Sequence, residues 1–315
     1  MKVGVGSVAQ AGIQSAWGTP VVPDTKINMT SESVVAAVEK GDEANLIAKK
    51  TRNQADVLAF NVDGGISGIL RPEMAEWLFE AALGKKVEQV FTLAEPNANL
   101  PVSTFVISRG GVVKTYPDAT IRSLTLSCPA QDYVRFDIDL IGTKELKPGD
   151  TGAQTVQSIS FTLPSYKCVA AELFYGAAET DPEELTQKLC VEDCSLTIDN
   201  GLEEAPATYC TGLYKGRPIP GLRVVSVDFN LPYSDTVEAF KQAYLMDEDG
   251  PTAALLLTFS NGNADENIQI YIPNLAVMSA DSNVDGQGII DSAVSGEALS
   301  IGDAEPITVT VSHDE

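Results

Sequence analysis

Histidine is almost absent from this 315-residue chain, and the single one is His313, next to its end. Histidine is the commonest general base and a frequent metal ligand. Its scarcity argues against Ser-His-Asp triads and histidine-based metal centres. No G-x-S-x-G motif or phosphate-binding loop is present either. The sequence therefore favours a binding or structural role, and we predict that the protein is not an enzyme.

Positive charge and long apolar runs are also scarce. The chain has 21 Lys and Arg against 44 Asp and Glu, a net charge of −23. Residues 1–171 hold 18 acids and 16 bases, whereas residues 172–315 hold 26 acids and 5 bases. Such a field repels nucleic acid phosphates, which argues against DNA binding through a basic patch.

No apolar run reaches the roughly 18 residues of a membrane helix. The start, MKVGVGSVAQA, is too brief and glycine-rich for a secretory signal. It also contains G-x-G-x-x-A, but the following IQSAWGTPVVP cannot form the helix that a dinucleotide site requires. We expect a soluble protein made in the cytoplasm, with no membrane contact and no bound nucleotide.

The five cysteines are odd in number and irregularly spaced, which predicts reduced and mostly buried thiols. A zinc site drawn from Cys168, Cys190, Cys194 and Cys210 would lack the short paired loops that such sites favour. Residues 281–291 begin as a calcium loop does, but Ser292 stands where the bidentate acid is required. We therefore predict no metal and no cofactor.

Alternating hydrophobic residues dominate the pattern along the chain. VRFDIDL at 134–140 and NIQIYIP at 267–273 place apolar side chains on one face and polar ones on the other. Glycine-containing turns separate such runs. This predicts a mainly β fold with sandwich or barrel packing.

Two helices are predicted between the strands. In RPEMAEWLFEAALGKK, Pro72 suits the first turn, Met74 and Trp77 recur at helical spacing, and Gly84 suits the end. In SDTVEAFKQAYLMDEDG, Ser234 is a candidate N-cap. Each helix follows an alternating run with a proline near the corner, which predicts a weak internal duplication.

The duplication gives a division of the chain into four parts. We expect an arm and long loop over 1–54, a strand-helix-strands half over 55–145, a connecting segment over 146–194, and a second half over 195–315. The sequence leaves open whether the halves form one fused sandwich or two domains.

The amino-terminal region has two unusual stretches. GIQSAWGTPVVP is apolar and rich in glycine and proline, so it cannot be helical, and chain ends are normally small, polar and loose. Residues 30–56 are polar and poorly periodic, which predicts a long exposed loop or hairpin. We expect both stretches to contact other copies of the chain; an arm packed on its own domain and a disordered loop are the alternatives.

Taken together, these motifs resemble the tail tube proteins of long-tailed bacteriophages. The resemblance rests on GIQSAWGTPVVP followed by TSES, then GISGILRPEMAEWLFEAALG, LPVSTFVISRGG, IRSLTLSC and VRFDIDLIGTKE. SLTIDNGLEE, GLRVVSVDFNL and IQIYIPNLAV extend it through the second half. Segment 165–194 and its cysteines depart from the family pattern.

The resemblance implies a structural virion protein with a β-sandwich or barrel fold and flanking helices. Copies would join into rings, commonly hexamers, that stack into a tube through which DNA leaves the virion without specific binding. Expected partners are tape measure, tail terminator and tail tip proteins. The self-assembly residues expected are Ile13, Trp17, Thr19, Pro20, Val21, Ser31 and Glu32.

Two further hypotheses belong to other classes. A β-sandwich surface or carbohydrate-binding module would need an exposed aromatic platform, yet the tryptophans fall in an arm and on the apolar face of a helix. A metal-dependent hydrolase of β-sandwich type would need more histidine.

The tube hypothesis predicts an acidic lumen, which would offer DNA phosphates no attractive site.

Overall fold

The computed structural model describes residues 6–42, 55–95, 98–205, 212–246, 252–263, 266–283, 290–302 and 304–312. This part of the chain is mostly antiparallel strand with two α-helices, which confirms the predicted fold class. The alternation read from the sequence is also confirmed. In VRFDIDL, Phe136, Ile138 and Leu140 are buried and Asp137 is exposed.

The strands and helices follow one another in two series. The first series is β1 (Val8–Ile13), β2 (Thr25–Ile27), β3 (Met29–Glu32), β4 (Val35–Asp42), β5 (Ala55–Ile69), α1 (Pro72–Leu83), β6 (Gly84–Val87), β7 (Val90–Leu93), β8 (Ser103–Arg109), β9 (Val112–Pro129) and β10 (Arg135–Gly142). The second is β11 (Lys167–Ala177), a 3₁₀ turn (Pro182–Glu184), β12 (Gln187–Leu189), β13 (Asp193–Asp199), β14 (Val224–Pro232), α2 (Asp235–Tyr244), β15 (Ala253–Ser260), β16 (Asn267–Asn283), β17 (Asp291–Ala298) and β18 (Thr308–Ser312).

Eight strands form one continuous central sheet in the order β4, β5, β10, β9, β13, β14, β17, β16. The short β3 continues the line of β4 along β5. Strands β9 and β16 are long and bulged, so their first halves leave this sheet and pair with β8 and β15. Strands β1 and β2 extend the β8 side, and β11 and β12 extend the β15 side.

The two helices bury the apolar faces that their spacing predicted. Trp77 of α1 packs edge-on against Phe105 with ring centroids 5.6 Å apart. Gly84 ends α1 in the left-handed conformation at φ 93°, which suits glycine and lets the chain pass directly into β6. In α2, the Ser234 hydroxyl accepts a hydrogen bond from the Val237 amide at 3.4 Å, as an N-cap does.

The internal duplication is visible in the order of the strands. In the first series, β5 leads into α1, and β8, β9 and β10 then form a meander whose last strand returns to pair with β5. In the second series, β14, α2, β15, β16 and β17 do the same. Strands β1 and β2 correspond to β11 and β12, and β3 with β4 corresponds to β13.

The two repeated units within the chain share the same irregularities. Between β8 and β9 the register shifts from Ser103 opposite Ala119 to Phe105 opposite Tyr116. The same shift occurs between β15 and β16, from Ala253 opposite Leu275 to Leu255 opposite Ile272. The bulge at Arg122 between β9 and β10 recurs at Met278 between β16 and β17. Bulges are specific features of a fold. Their repetition aligns the two repeated units residue by residue, and each residue of β16 has a number 156 higher than its equivalent in β9.

The repeated units are therefore longer than the halves expected from the sequence. One unit runs from β1 to β10 and the other from β11 to β17. The expected boundary at 54/55 falls within a hairpin, because β4 pairs along β5, and the boundary at 194/195 falls inside β13. Strands β9 and β13 pair directly over seven residues, so the described part of the chain forms one fused sheet.

The pairing of β9 with β13, which joins the two repeated units within the chain, gives a test of the two faces of this sheet. Leu126 of β9 is buried at 2% exposure, whereas its neighbour Ser127 lies on the open face. We expect Leu126→Ala to lower the free energy of unfolding by about 2–5 kcal/mol because it leaves a cavity. Ser127→Ala should change it by less than about 0.5 kcal/mol. Urea denaturation measures both, and equal effects would contradict the face assignment.

Candidate assembly surfaces

The apolar stretch near the amino terminus is a loop held against its own chain. It connects β1 to β2, and the buried Asp118 organises it. The Asp118 carboxylate accepts hydrogen bonds from the Gly18 amide at 2.6 Å and the Gln14 side-chain amide at 3.1 Å. The Asp118 amide donates back to Gln14 Oε1 at 2.7 Å. In a single copy this stretch is thus a structured loop packed on its own domain, one of the alternatives that the sequence left open, and the buried charge of Asp118 holds its polar atoms.

The predicted residues of this loop differ in exposure. Ile13 ends β1 opposite Ser103 and packs on the core, whereas Trp17 is half-buried with the Arg217 guanidinium 6.0 Å from its ring centroid. Thr19 is exposed, and Pro20 and Val21 are half-buried. The Val21 amide donates to Thr104 Oγ1 at 3.0 Å. Contact with another copy remains a prediction for the parts of this loop that solvent reaches.

Ser31 and Glu32 lie apart from that loop, on β3 in the central sheet. Two Arg109 nitrogens, Nε and Nη2, donate to the Glu32 carboxylate at 2.6 and 2.5 Å. This pairing lowers the pKa of Glu32 and raises that of Arg109. Arg109 also donates to the Val34 carbonyl, and the Val34 amide donates to Glu32 Oε2 at 3.2 Å. The structure thus divides the predicted assembly residues between two separate surfaces.

The central sheet has two open edges, one at each end. At the first, β3 and β4 pair only with β5 among the described residues. At the other, the second half of β16 pairs only with β17 within the same described ranges. Apolar side chains are exposed along both, with Val35 at 56% and Met278 at 63% exposure. Unpaired edges of this kind are templates for pairing with another chain. The sequence signal for them was the polar stretch 30–56, whose tip lies outside the described residues.

The outward face of the same sheet is acidic. Nine acids, none of them buried, project from its strands on this side: Asp63, Asp137, Asp139, Asp193, Asp199, Asp228, Asp281, Asp291 and Glu297. Arg122 neutralises part of the first half by pairing with Asp63 and Asp139, each at 3.0 Å. Strands β13, β14 and β17 and residues 277–283 carry no Lys or Arg. We call these nine residues the acidic face.

Of the four cysteines weighed as a zinc site, Cys168, Cys190 and Cys194 line one cavity together with Cys128. Cys128, Cys168 and Cys194 are buried and Cys190 is exposed, while Cys210 lies outside the described residues. Burial raises the pKa of Cys194 to about 12, which keeps that thiol protonated. Among the described residues, no group of three or more His, Cys, Asp or Glu side chains is placed so that it could hold a metal ion. Asp285 and Gly286 of the calcium-like loop lie outside them.

A comparison with protein families identifies the chain. The model of the family described as phage tail tube protein matches residues 4–312. The chain belongs to the phage tail tube protein family. A search of curated proteins finds no match. A tail tube protein is a structural component of the virion tail whose copies assemble into a tube, so the resemblance seen in the sequence is confirmed.

The exposure of one tryptophan bears on the alternative of a carbohydrate-binding module. Trp77 is only 5% exposed, so it cannot belong to the aromatic platform of a carbohydrate-binding module. Neither helix has the length and hydropathy to span a membrane, within the ranges that the structure describes.

Asp118 offers a test of how the amino-terminal loop of the tail tube protein is held. We expect Asp118→Ala to lower the free energy of unfolding by about 2–4 kcal/mol, because two hydrogen bonds to a buried carboxylate are lost. Alanine also tolerates the backbone φ of 58° less well. Asp118→Asn keeps an acceptor oxygen and should cost less.

The measurements are urea denaturation and acrylamide quenching of tryptophan fluorescence. Quenching should increase in Asp118→Ala as Trp17 is released. A variant with unchanged stability and unchanged quenching would contradict the role given to Asp118.

Proposed function

We propose that this tail tube protein forms closed rings through the two open edges of its central sheet, and that the rings stack into a tube. A head-to-tail contact that closes by rotation makes a ring, and a contact that does not close makes a filament. Edge pairing is such a contact, because the edge formed by β3 and β4 differs from the edge of β16. The observation that carries the proposal is the presence of both edges on one continuous sheet.

The acidic face would line the lumen of this tube. When successive sheets join edge to edge and curve, one face lies outside and the other encloses the bore. The core-facing side of this sheet is already covered by the helices and by the strands packed behind it, so the acidic face is the side left open to enclose the bore. A negative wall repels phosphates, so DNA would pass through during ejection without being trapped.

The remaining predictions from the resemblance belong to the same proposal. Trp17, Thr19, Pro20 and Val21 would contact neighbouring copies or rings through their exposed atoms. Ser31 and Glu32 would contact the next copy along the ring. Tape measure, tail terminator and tail tip proteins would be the other partners, and synthesis would take place in the host cytoplasm. A ring of six members stays a prediction, whether the members are whole chains or the repeated units of fewer chains.

Assembly can be blocked at one backbone donor. The Ser33 amide donates to the Gly65 carbonyl at 2.9 Å, towards β5, so by alternation the Ala36 amide points to the open edge. Ala36→Pro removes that donor without removing a ladder bond to β5. We expect the wild-type protein to form rings or tubes in negative-stain micrographs at high concentration, and Ala36→Pro to remain a single copy with a similar melting temperature. Wild-type protein that stays a monomer would contradict the proposal.

The lumen assignment has a separate test in phage particles. Neutralising three acids of the acidic face, with Asp228→Asn, Asp291→Asn and Glu297→Gln together, should leave tubes assembled but slow the release of DNA. Neutralising Asp150, Glu183 and Glu184, which lie off the acidic face, is the matched control. Fluorescence of a dye that binds released DNA measures the rate. Release as fast as in the wild type after the first set of changes would count against an acidic lumen.

A further inference from the structure

The joint inside the chain is a contact between the two repeated units. Strand β9 ends the sheet of the first unit and pairs with β13, the outermost strand of the second unit. By the alignment of the two units, β16 corresponds to β9, and β3 with β4 corresponds to β13. The outermost strands of the whole chain are therefore equivalent to the two strands that already meet within it.

We propose that residues 279–283 of one copy pair antiparallel with residues 33–37 of the next, in the register of the internal joint. This inference rests on the proposed ring and adds its residue contacts. Within the chain, Thr125 lies opposite Thr197 and Ser123 lies opposite Asp199. The equivalent contacts between copies are Asp281 opposite Val35, and Ser279 opposite Ala37.

The register on each side is fixed by the structure. The bulge residues Arg122 and Met278 set the alignment of β9 with β16. On the other side, Ile66 lies opposite Glu32 and the equivalent Phe229 lies opposite Cys194. Residue numbers of β3 and β4 therefore differ by 162 from those of β13. A slip of one residue would reverse the faces of the joining strands and expose the apolar side of β4.

Burial agrees with this register. Ala280 and Val34 are buried in the single copy and belong to the side that faces the core. Asp281 and Val35 are exposed on the side of the sheet that carries the acidic face, and Thr125 and Thr197 lie on the same side in the internal joint. The hydroxyls of those two threonines are 3.1 Å apart, so side chains at this pair position touch.

One part of the edge is occupied in the single copy. Glu32 and Arg109 bind the backbone groups of Val34, whereas the equivalent Leu196 lies opposite Leu126 of β9. Charged groups placed at an edge hinder unwanted pairing. The next copy must therefore replace these two side chains at Val34 to complete the joint.

The equivalence of the two repeated units also gives the number of chains in one ring. Each chain contributes the eight strands of its central sheet to the ring, and these belong to two equivalent repeated units. With strands about 4.8 Å apart and tilted by about 40°, three chains close a barrel about 50 Å across and six chains one about 100 Å across. The smaller bore suits a duplex roughly 20 Å across, as the depths of its grooves imply. Three chains then supply six repeated units, so the six members of the ring would be the repeated units of three chains and not six whole copies.

Disulfide trapping tests the register directly. In a Cys190→Ser, Cys210→Ser background, we expect Val35→Cys with Asp281→Cys, and Ala37→Cys with Ser279→Cys, to cross-link assembled copies on oxidation. The mismatched combinations, Val35→Cys with Ser279→Cys and Ala37→Cys with Asp281→Cys, should give at most about a tenth of that yield because the thiols lie too far apart. Bonding within one copy is not expected, since seven strand spacings, about 34 Å along the sheet, separate the two edges.

An internal control and the size of the products complete the experiment. Thr125→Cys with Thr197→Cys should oxidise within single copies and leave the mass of the chain unchanged. For the matched pairs, denaturing electrophoresis should show a series of bands that ends at three chains. A series ending at six would overturn the count. Tubes in micrographs with mismatched pairs cross-linked as well as matched ones would overturn the register, whereas the absence of tubes would contradict the proposed function instead.

Discussion

The hydrogen-bonding groups of strand edges are the constraint on which this structure depends. A backbone amide or carbonyl in a sheet must find a partner, and a long open edge leaves a row of them without one. The chain meets this requirement at its centre, where β9 and β13 pair over seven residues. At its two ends the part of the chain that the structure describes does not, apart from the contacts of Glu32 and Arg109 at Val34. A protein built in this way gains from association with its own copies.

Duplication gives the two ends of the sheet the form of the two strands that are already joined at its centre. When two units are fused through one pair of edges, the remaining edges are equivalent to the pair already joined. The backbone kept this equivalence, as the shared bulges show, while the side chains diverged. Trp77 of α1 stands where α2 has Phe240, and Arg122 stands where β16 has Met278. The acids diverged as well, because Asp63 and Asp139 correspond to Ser226 and Ser295 and the second unit carries its acids elsewhere on the face.

Local elements and family could be predicted from the sequence, and the sheet order could not. The helices at Pro72 and Asp235 have caps and spacing that are local signals, and alternation in VRFDIDL marks a strand without reference to its neighbours. Pairing of β9 with β13 joins residues about 70 apart in the chain, and no periodicity encodes it. The loop around Trp17 was expected to be an arm because the decisive partner, Asp118, is a single acid 100 residues away. Burial of one carboxylate cannot be recognised among 44 acids.

Hydrogen exchange at the open edges tests the central claim most directly. The backbone amides of Ala36 and Ala280 point away from their strand partners in a single copy, and in the assembled tube each would bond to the next copy. Exchange measured by mass spectrometry on peptides covering residues 33–38 and 279–283 should be strongly slowed in tubes relative to the unassembled Ala36→Pro variant, with the substituted position itself left out of the comparison. Equal exchange of these peptides in intact tubes and in single copies would contradict the account.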